Sequence, residues 1–451
     1  MKKLLAILFC SVCCTIVAAQ KTYSLAQILD SARQNNMAVR NARYGIDAAR
    51  QQRKEAFTKY FPNVSGTGLV FNANKGMAAT TVNPSELISP EMAAGLAQMI
   101  PVEALAALAS PVSISMMKNG TVAGLTAVQP IFAGGQIING NKLAKVGEDV
   151  SQLQLQLSEN EVKKTAEQYF WQIATLKEKQ KTIEAVEALL ADIHKDVDVA
   201  VKAGVALRND LLQVELRQNE VESQKLKLQN GIFIVKQLLG QYAGLAPVEN
   251  RYDFDIVVPD MSQADLSLPS PSAANGIRLT PEYQLLSKQV EATKLQHKME
   301  IGKNLPSVAV GAGYNYHNLL DKNHTFAMLF ATVSVPISDW WGGSHAIKRK
   351  KMAHQQAREQ LDDNAQLLNI RMQKAWNDVA EAQQQLAIAH RSIEQAEENL
   401  RLHRDFYRAG TCRMADLLEA QVLHQQACDK HADAYADLQN KLLEYRQSVG
   451  Q

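Results

Sequence analysis

The chain has 451 residues, 46% of them hydrophobic, and a formal net charge of +2. This composition excludes a disordered tail and allows a large core, and the near-neutral charge gives no support to nucleic-acid binding. Aromatic residues make up only 6% of the chain, and Ala, Gln, Leu, Lys and Glu are abundant, which favours long helices over a compact mixed domain.

The first residues, MKKLLAILFCSVCCTIVAAQ, have the pattern of a secretory signal peptide. Lys2 and Lys3 precede an apolar run that is too short to span a bilayer comfortably, and small residues follow it. We predict a signal peptide over 1–19 that is cleaved there. Cleavage removes both lysines, so the net charge of +2 becomes 2 − 2 = 0. Cys412 and Cys428 remain, 16 residues apart on a predicted helix, and we expect both to be free thiols.

Two short stretches of the mature chain, KAGVALRNDLL and RAGTCRMADLL, share one pattern. Gly204 and Gly410 are 410 − 204 = 206 positions apart, and Pro130 and Pro336 have the same spacing, 336 − 130 = 206. Shared register with little identity indicates an internal duplication.

The predicted bounds begin with a signal peptide at 1–19. A first repeat at 20–244 has a helix, a strand at 62–72, an extracellular insertion at 77–119, a strand at 121–130 and a hairpin tip at 203–210. A linker or equatorial segment at 245–281 follows, and then a second repeat at 282–451 with a helix, strands at 306–316 and 326–336, and a tip at 409–416.

Each repeat is predicted to begin with one helix, at 25–59 and at 281–303. Two strands follow, in which apolar and small residues alternate with a period of two over about ten residues, a length that suits a tilted membrane strand. Pro130 and Pro336 are predicted to end the second strand of each repeat, because proline cannot donate to a β-ladder. Four strands cannot close a membrane barrel, so several chains must share one.

A long helical hairpin completes each repeat. Apolar residues step by 3, 4, 3 and 4 through Ile183, Val186, Leu190, Ile193 and Val197. This heptad pattern predicts left-handed coiled-coil packing. Gly204 and Gly410 are predicted to adopt the left-handed conformation that ends the first helix of each hairpin. Asp210 and Asp416 are predicted to cap the second helix.

The signal peptide, the paired repeats, the QPIF-x-GG and VPI strand ends and the AG-x5-D tips together resemble the TolC-like family of outer-membrane efflux proteins. The resemblance implies an α+β membrane protein in the outer membrane of a Gram-negative bacterium. Three chains would each contribute four β-strands to a twelve-stranded oligomeric barrel, continued into the periplasm by a long antiparallel coiled-coil α-barrel. The implied function is the exit duct of a tripartite efflux or type I secretion system. Its implied partners are two further copies of the chain, a periplasmic adaptor, an inner-membrane transporter and outer-membrane lipid.

The resemblance also implies roles for residues at the tips. Asp416 and Glu419, one helical turn apart, correspond to an acidic ring that selects for cations at a gate. Asp210 and Tyr407 correspond to a closing contact between neighbouring helices. Cys412 stands where many family members have an arginine at the gate.

The adaptor is expected to contact both tips. The tip glycines implied for this contact are Gly204 and Gly410, and the side chains implied are those of Leu207 and Met414.

Other functions receive less support. A structural or adhesive coiled-coil surface protein would explain the heptads but not the paired strands, and a periplasmic adaptor would have one hairpin instead of two. His424, Cys428 and His431 share one helix face, which we expect to be a packed seam; no metal or other cofactor is predicted. The sequence contains no G-x-S-x-G, H-E-x-x-H or P-loop motif, so we predict no enzyme activity.

Overall fold

The computed structural model describes residues 21–83, 89, 92, 111–261, 276–319 and 322–450. The predicted signal peptide at 1–19 lies outside the described residues. So do most of the predicted insertion at 77–119 and the central part of the predicted linker, 262–275.

Long helices dominate the described chain. Their bounds are α1, Leu25–Asn35; α2, Met37–Thr58; α3, Gln136–Lys202; α4, Arg208–Tyr242; α5, Pro281–Lys303; α6, Asp339–Arg408; and α7, Met414–Ser448. A short 3-10 helix, Gly276–Leu279, precedes α5. Helices α4 and α7 each have 35 residues and begin 414 − 208 = 206 positions apart, which is the spacing of the sequence repeat.

The single helix predicted at 25–59 is wrong, because Asn36 divides it into α1 and α2. Asn36 has an extended ψ of 137°. Its side-chain oxygen accepts a hydrogen bond from the backbone N–H of Ala38 at 2.8 Å, and its amide donates to the carbonyl of Tyr242 at 2.9 Å. The side chain thus caps α2 and ties the break to the end of α4.

Two compact units account for the described chain. One contains the described residues of Met1–Arg50, Val146–Glu291 and Gln355–Gln451, and the other those of Gln51–Lys145 and Ala292–His354. Both repeats contribute to both units, so the units do not coincide with the repeats.

The first unit is held together along the helical seam and by a large apolar cluster. The five heptad residues predicted from Ile183 to Val197 are all buried, as a coiled-coil seam requires. The main cluster lies farther from the tips and joins α1, α3, α4, α6 and α7. Within it, the Trp171 ring meets Phe170 and Tyr435 edge to face, with centroids 5.4 and 5.6 Å apart. The short parallel strands β1, Thr22–Tyr23, and β6, Asp255–Ile256, pair beside this cluster.

The second unit contains an antiparallel four-stranded sheet. Its strands are β2, Asn63–Asn72; β5, Asn119–Ala133; β7, Ser307–Asn318; and β8, His324–Ser334, and they lie in the order β2-β5-β7-β8. A separate antiparallel pair, β3, Ala78–Val82, and β4, Val112–Met116, falls within the predicted insertion.

Pro130 does not end its strand, contrary to the prediction. Strand β5 continues to Ala133, and the register against β7 shifts between Pro130 and Phe132. Because proline has no N–H to give to the ladder, a bulge at this point lets the strand pass the defect. Pro336 lies two positions beyond the end of β8 at Ser334.

The register sorts the side chains of this sheet onto two different faces. Val70, Leu125, Tyr314 and Leu329 share one face, and all four are exposed, Leu329 to 87%. The opposite face is mixed, with small and polar residues such as Ser65, Thr126 and Asn315. It also carries the exposed apolar side chains of Leu69, Phe326 and Met328. One surface of the sheet is therefore apolar and uncovered within the chain.

None of the helices in the described ranges is long and apolar enough to cross a membrane.

Candidate functional site

The two hairpin tips have the same backbone design. At the first tip, Gly204 has φ +78°, its N–H donates to the carbonyl of Val201 at 3.0 Å, and the N–H of Val205 donates to that of Ala200 at 2.9 Å. These two bonds form the Schellman motif, which ends a helix by satisfying its last carbonyls. The predicted left-handed conformation of Gly204 is confirmed.

The second tip repeats the motif. Gly410 has φ +73°, its N–H donates to the carbonyl of Tyr407 at 2.9 Å, and the N–H of Thr411 donates to that of Phe406 at 2.9 Å. The hydroxyl of Thr411 also donates to the Phe406 carbonyl, at 3.0 Å.

The aspartate of each tip begins the returning helix. An Asp210 oxygen accepts the N–H of Leu207 at 3.3 Å, and an Asp416 oxygen accepts the N–H of Arg413 at 3.2 Å. Both carboxylates lie in the first turn of their helix, where they also interact favourably with the helix dipole. The predicted capping role of both aspartates is confirmed, and it explains the fixed spacing of the AG-x5-D pattern.

A small apolar cluster, here called the tip cluster, joins the two hairpins. It consists of Ile193, Val197, Val214, Met414 and Leu417. Tyr407 is one of the partly buried residues packed against it. The two tips are thus joined by one shared core.

Met414 does not lie where a partner could contact it. Its side chain is only 1% exposed, because the first turn of α7 packs into the tip cluster. The prediction that Met414 faces an adaptor is therefore wrong for this conformation. Leu207, in contrast, is 71% exposed, and Val205 is 81% exposed. Val205 is not among the residues predicted from the sequence, although an apolar residue between the tip glycine and aspartate is itself a signal of an exposed contact.

The structure brings Tyr407 and Asp210 near each other without a direct bond. Burial raises the pKa of the Tyr407 phenol, and the negative charges of Asp210 and Asp196 raise it further. Within the described chain no hydrogen bond joins Tyr407 to Asp210, whose carboxylate caps α4 instead.

The acidic pair predicted for the gate begins α7. The Asp416 side chain is 42% exposed and lies 3.8 Å from Nε of Arg413, whose own side chain is 89% exposed. Glu419, one turn further along, is exposed. A surface ion pair of this kind contributes little to stability, and the Asp416 carboxylate remains partly exposed to solvent.

Cys412 lies beside this carboxylate. Its thiol donates to the Arg413 carbonyl at 3.3 Å, and its sulfur lies 3.9 Å from an Asp416 oxygen. Burial together with the Asp416 charge raises the pKa of the thiol. Cys412 and Cys428 are both free, as predicted.

A buried polar layer lies next to the tip cluster and joins α4 to α7. Arg217, 8% exposed, donates through Nε to Gln421 at 2.9 Å and through Nη2 to Gln425 at 2.7 Å. Gln425 in turn donates to Gln224 at 2.8 Å. This layer was not predicted from the sequence, since the bonded residues lie 204 and 208 positions apart in the chain.

The histidine stripe of α7 is divided between two contacts. Cys428 Sγ lies 3.8 Å from His424 Nε2, whereas the His431 ring faces His390 at a centroid distance of 5.8 Å. Within the described ranges, no group of three or more His, Cys, Asp and Glu side chains is placed to hold a metal ion.

Comparison with known proteins identifies the class that this fold and these tips define. The model of the family described as "Outer membrane efflux protein" matches residues 284–451, most of the second repeat. No curated protein sequence gives a match.

Solved channel structures match nearly the whole chain. The CmeC outer membrane channel of Campylobacter jejuni has a TM-score of 0.75 at 14% identity, covering 94% of this chain and 85% of that one. VceC of Vibrio cholerae has a TM-score of 0.72 at 13% identity, covering 94% and 96%. The open-state MtrE channel of Neisseria gonorrhoeae has a TM-score of 0.72 at 12% identity, covering 94% and 88%.

The resemblance to TolC-like outer-membrane efflux proteins is therefore confirmed, as is the α+β fold of these channels. The second repeat carries the sequence pattern of the efflux family, and the whole chain has the fold. The predicted location in the outer membrane agrees with the description of the matching family.

Proposed function

We propose that the protein is the outer-membrane exit duct of a tripartite efflux or type I secretion system. Three copies form the duct, which receives small molecules or other exported substrates from an inner-membrane transporter and a periplasmic adaptor. The protein acts as a channel and performs no chemistry on its cargo. The efflux-family match and the channel fold support this proposal.

The observation that carries the proposal is the two-faced sheet. Its more apolar face, with Val70, Leu125, Tyr314 and Leu329 exposed, suits lipid. The other face is mixed, and its small and polar residues, among them Ser65, Thr126 and Asn315, suit a wetted lumen. The outer edges of β2 and β8 have no partner strand among the described residues. Open edges are not tolerated in lipid, so neighbouring copies are needed to close a twelve-stranded wall.

The tips form the periplasmic gate of the proposed duct. Asp416 and Glu419 from three copies place six carboxylates near one axis, which attracts cations and repels anions. Asp210 and Tyr407 lie close enough for the charge of one to affect the other, and we propose that they take part in closing the gate.

Planar-bilayer recording of the purified chain tests duct and gate together. The wild type is expected to give cation-selective channels as a trimer extracted with detergent. The double variant D416A, E419A is expected to lose most of this selectivity and its block by divalent cations. The matched control is Glu394→Ala, which removes an exposed acid from α6 at 410 − 394 = 16 residues before Gly410, roughly 24 Å along the helix.

The outcomes separate the gate from the duct. Channels whose selectivity and block are unchanged in D416A, E419A would refute the gate but leave the duct. A chain that is soluble without detergent and forms no channels would refute the duct and favour a structural or adhesive coiled-coil protein.

The first tip is the proposed adaptor contact. Val205 and Leu207 expose apolar side chains beside Gly204, and the corresponding positions of the second tip, 411 and 413, hold Thr and Arg. Exposed apolar groups at such a site mark an interaction surface.

A photo-crosslinking residue tests this contact in cells. Placed at position 207, it is expected to capture a periplasmic protein of the adaptor type. Placed at Leu226, which is similarly exposed on α4 but about 28 Å further along the helix, it is expected to capture much less. Equal capture at both positions would exclude the tip as the preferred contact.

A further inference from the structure

Two histidines face each other at the end of the β7–β8 hairpin. His317 and His324 are directly paired in the register, and their ring centroids are 5.2 Å apart. Phe326 completes the group, with its ring centroid 6.1 Å from His317 and 6.2 Å from His324. All three side chains lie on the sheet face that also carries Asn315. We call this group the hairpin histidine cluster.

The backbone beneath the cluster is held in place. Tyr316 and Asn323, which precede His317 and His324 in the sequence, form a hydrogen bond across the hairpin. The Tyr316 hydroxyl donates to Asn323 Oδ1 at 2.9 Å. Regular antiparallel pairing then runs without a shift from His317–His324 to Ser307–Ser334. Little backbone freedom therefore remains to be lost when the two imidazoles bind a common ligand.

One imidazole nitrogen in the cluster lacks a partner. Nδ1 of His317 is buried and has no hydrogen-bond partner among the described residues. A buried polar atom left in this state costs about 1–3 kcal/mol. An ion or a water molecule that binds this nitrogen recovers that energy.

The ring separation matches a known chelating geometry. A metal–imidazole nitrogen distance is about 2.0–2.1 Å, and the ring centre lies about 1.1 Å behind the nitrogen, so two imidazoles at a tetrahedral angle have centres about 5.1 Å apart. The observed separation is 5.2 Å. Rotation about the last side-chain torsion is soft, so either ring can turn a nitrogen toward the ion.

We propose that His317 and His324 form a two-imidazole binding site for a divalent transition metal ion. Imidazole nitrogen favours copper, zinc and nickel, and the Irving–Williams order predicts that Cu²⁺ binds most tightly. The described residues offer no third His, Cys, Asp or Glu ligand at this place. A site of two imidazoles leaves other coordination positions to water, so we expect the bound ion to exchange readily.

The first experiment measures Cu²⁺ binding to the full-length trimer, purified without a polyhistidine tag. The wild type is expected to bind one Cu²⁺ per chain, with two nitrogen ligands visible in its electron paramagnetic resonance spectrum. His317→Gln and His324→Gln are each expected to weaken binding at least tenfold. The matched control is His345→Gln, which removes an exposed histidine from α6.

A second control addresses the other close histidine pair. His390→Gln removes one member of the pair at 5.8 Å on α6 and α7 and is expected to leave the Cu²⁺ affinity unchanged. The proposal is overturned if the wild type binds no Cu²⁺, or if the hairpin variants bind as well as the wild type. It is equally overturned if His345→Gln or His390→Gln weakens binding as much as the hairpin variants do.

A measurement on the unmodified chain guards against variants that fail to fold. Diethyl pyrocarbonate modifies accessible imidazoles, and mass spectrometry locates the modified residues. Cu²⁺ is expected to protect His317 and His324 at least fivefold while His345 reacts at its normal rate. Equal reaction with and without Cu²⁺ refutes the site. Both experiments concern metal binding by the purified chain, so their result is independent of the proposed duct function.

Discussion

Replacing Arg217 should loosen the junction between the two hairpins. Its guanidinium is buried on α4 and donates to Gln421 at 2.9 Å and to Gln425 at 2.7 Å, both on α7. It also donates to Glu220 at 2.8 Å, but the Glu220 side chain is 64% exposed. The two glutamine bonds and the surface pair are thus expected to differ greatly in strength.

The expected loss of stability in Arg217→Met follows from the burial of these hydrogen bonds. A hydrogen bond to a charged group contributes about 1.5–3 kcal/mol, so Arg217→Met removes about 3–6 kcal/mol of bonding. Methionine has no desolvation penalty, which offsets part of the loss. We expect a net loss of about 2–4 kcal/mol in the local free energy of opening. Glu220→Gln breaks only an exposed pair and should lose about 0–1 kcal/mol.

Hydrogen exchange of the backbone amides of α4 and α7 near these residues measures this free energy. Each 1.4 kcal/mol changes the opening equilibrium, and with it the exchange rate, about tenfold. Arg217→Met should therefore speed exchange by about 1.5 to 3 orders of magnitude, and Glu220→Gln by less than about one. Adding Gln421→Leu to Arg217→Met should restore part of the protection, because the buried amide no longer lacks a partner. Similar, small effects of Arg217→Met and Glu220→Gln would refute this reasoning.

Three further changes test the tips and the main unit. Gly204→Ala should destabilise the first tip by about 1–2 kcal/mol, since a side chain there is strained at positive φ although its Cβ meets open space. Gly204→Asn should destabilise the tip less. Hydrogen exchange of the tip amides measures both effects, and a smaller effect for Ala than for Asn would contradict this prediction. Asp416→Asn removes a charge that raises the pKa of Cys412, so alkylation of that thiol at pH 8 should become faster; an unchanged rate would show that burial alone controls it. Burial opposes ionisation of Asp255, but its bonds to Lys177 and neighbouring groups hold its pKa below the usual value. The ionised carboxylate therefore stabilises the folded state at neutral pH, and this contribution is lost as pH falls through the lowered pKa. Asp255→Asn should therefore reduce the fall in melting temperature between pH 7 and pH 3, and an undiminished fall would exclude this role.

Local chemistry made the tips predictable from sequence. A helix end at positive φ needs glycine, and a following helix start favours a carboxylate, so Gly204 and Asp210 each report a requirement of a few neighbouring residues. The coiled-coil seam was predictable for a similar reason, because heptad spacing is itself the cause of the packing face. These features depend on little beyond the segment that carries them.

Features that depend on distant partners could not be predicted. Met414 looks like a tip residue in the sequence, but its burial follows from packing between two hairpins. The layer around Arg217 needs α4 and α7 side by side, and the pairing of His317 with His324 needs the exact strand register. Asn36 is an ordinary residue within a helical pattern until its amide meets the end of α4.

The two tips share a backbone and differ in what they expose. The Schellman motif and the helix cap require only the glycine and the aspartate, so the residues between them were free to diverge after duplication. The first tip acquired exposed Val205 and Leu207, which suit an apolar contact with a partner. The second tip exposes Arg413 instead and adds Glu419 to the acid that both tips share. Because residues of both hairpins pack in the tip cluster, we expect the proposed partner of the first tip to influence the charged second tip through this small apolar core.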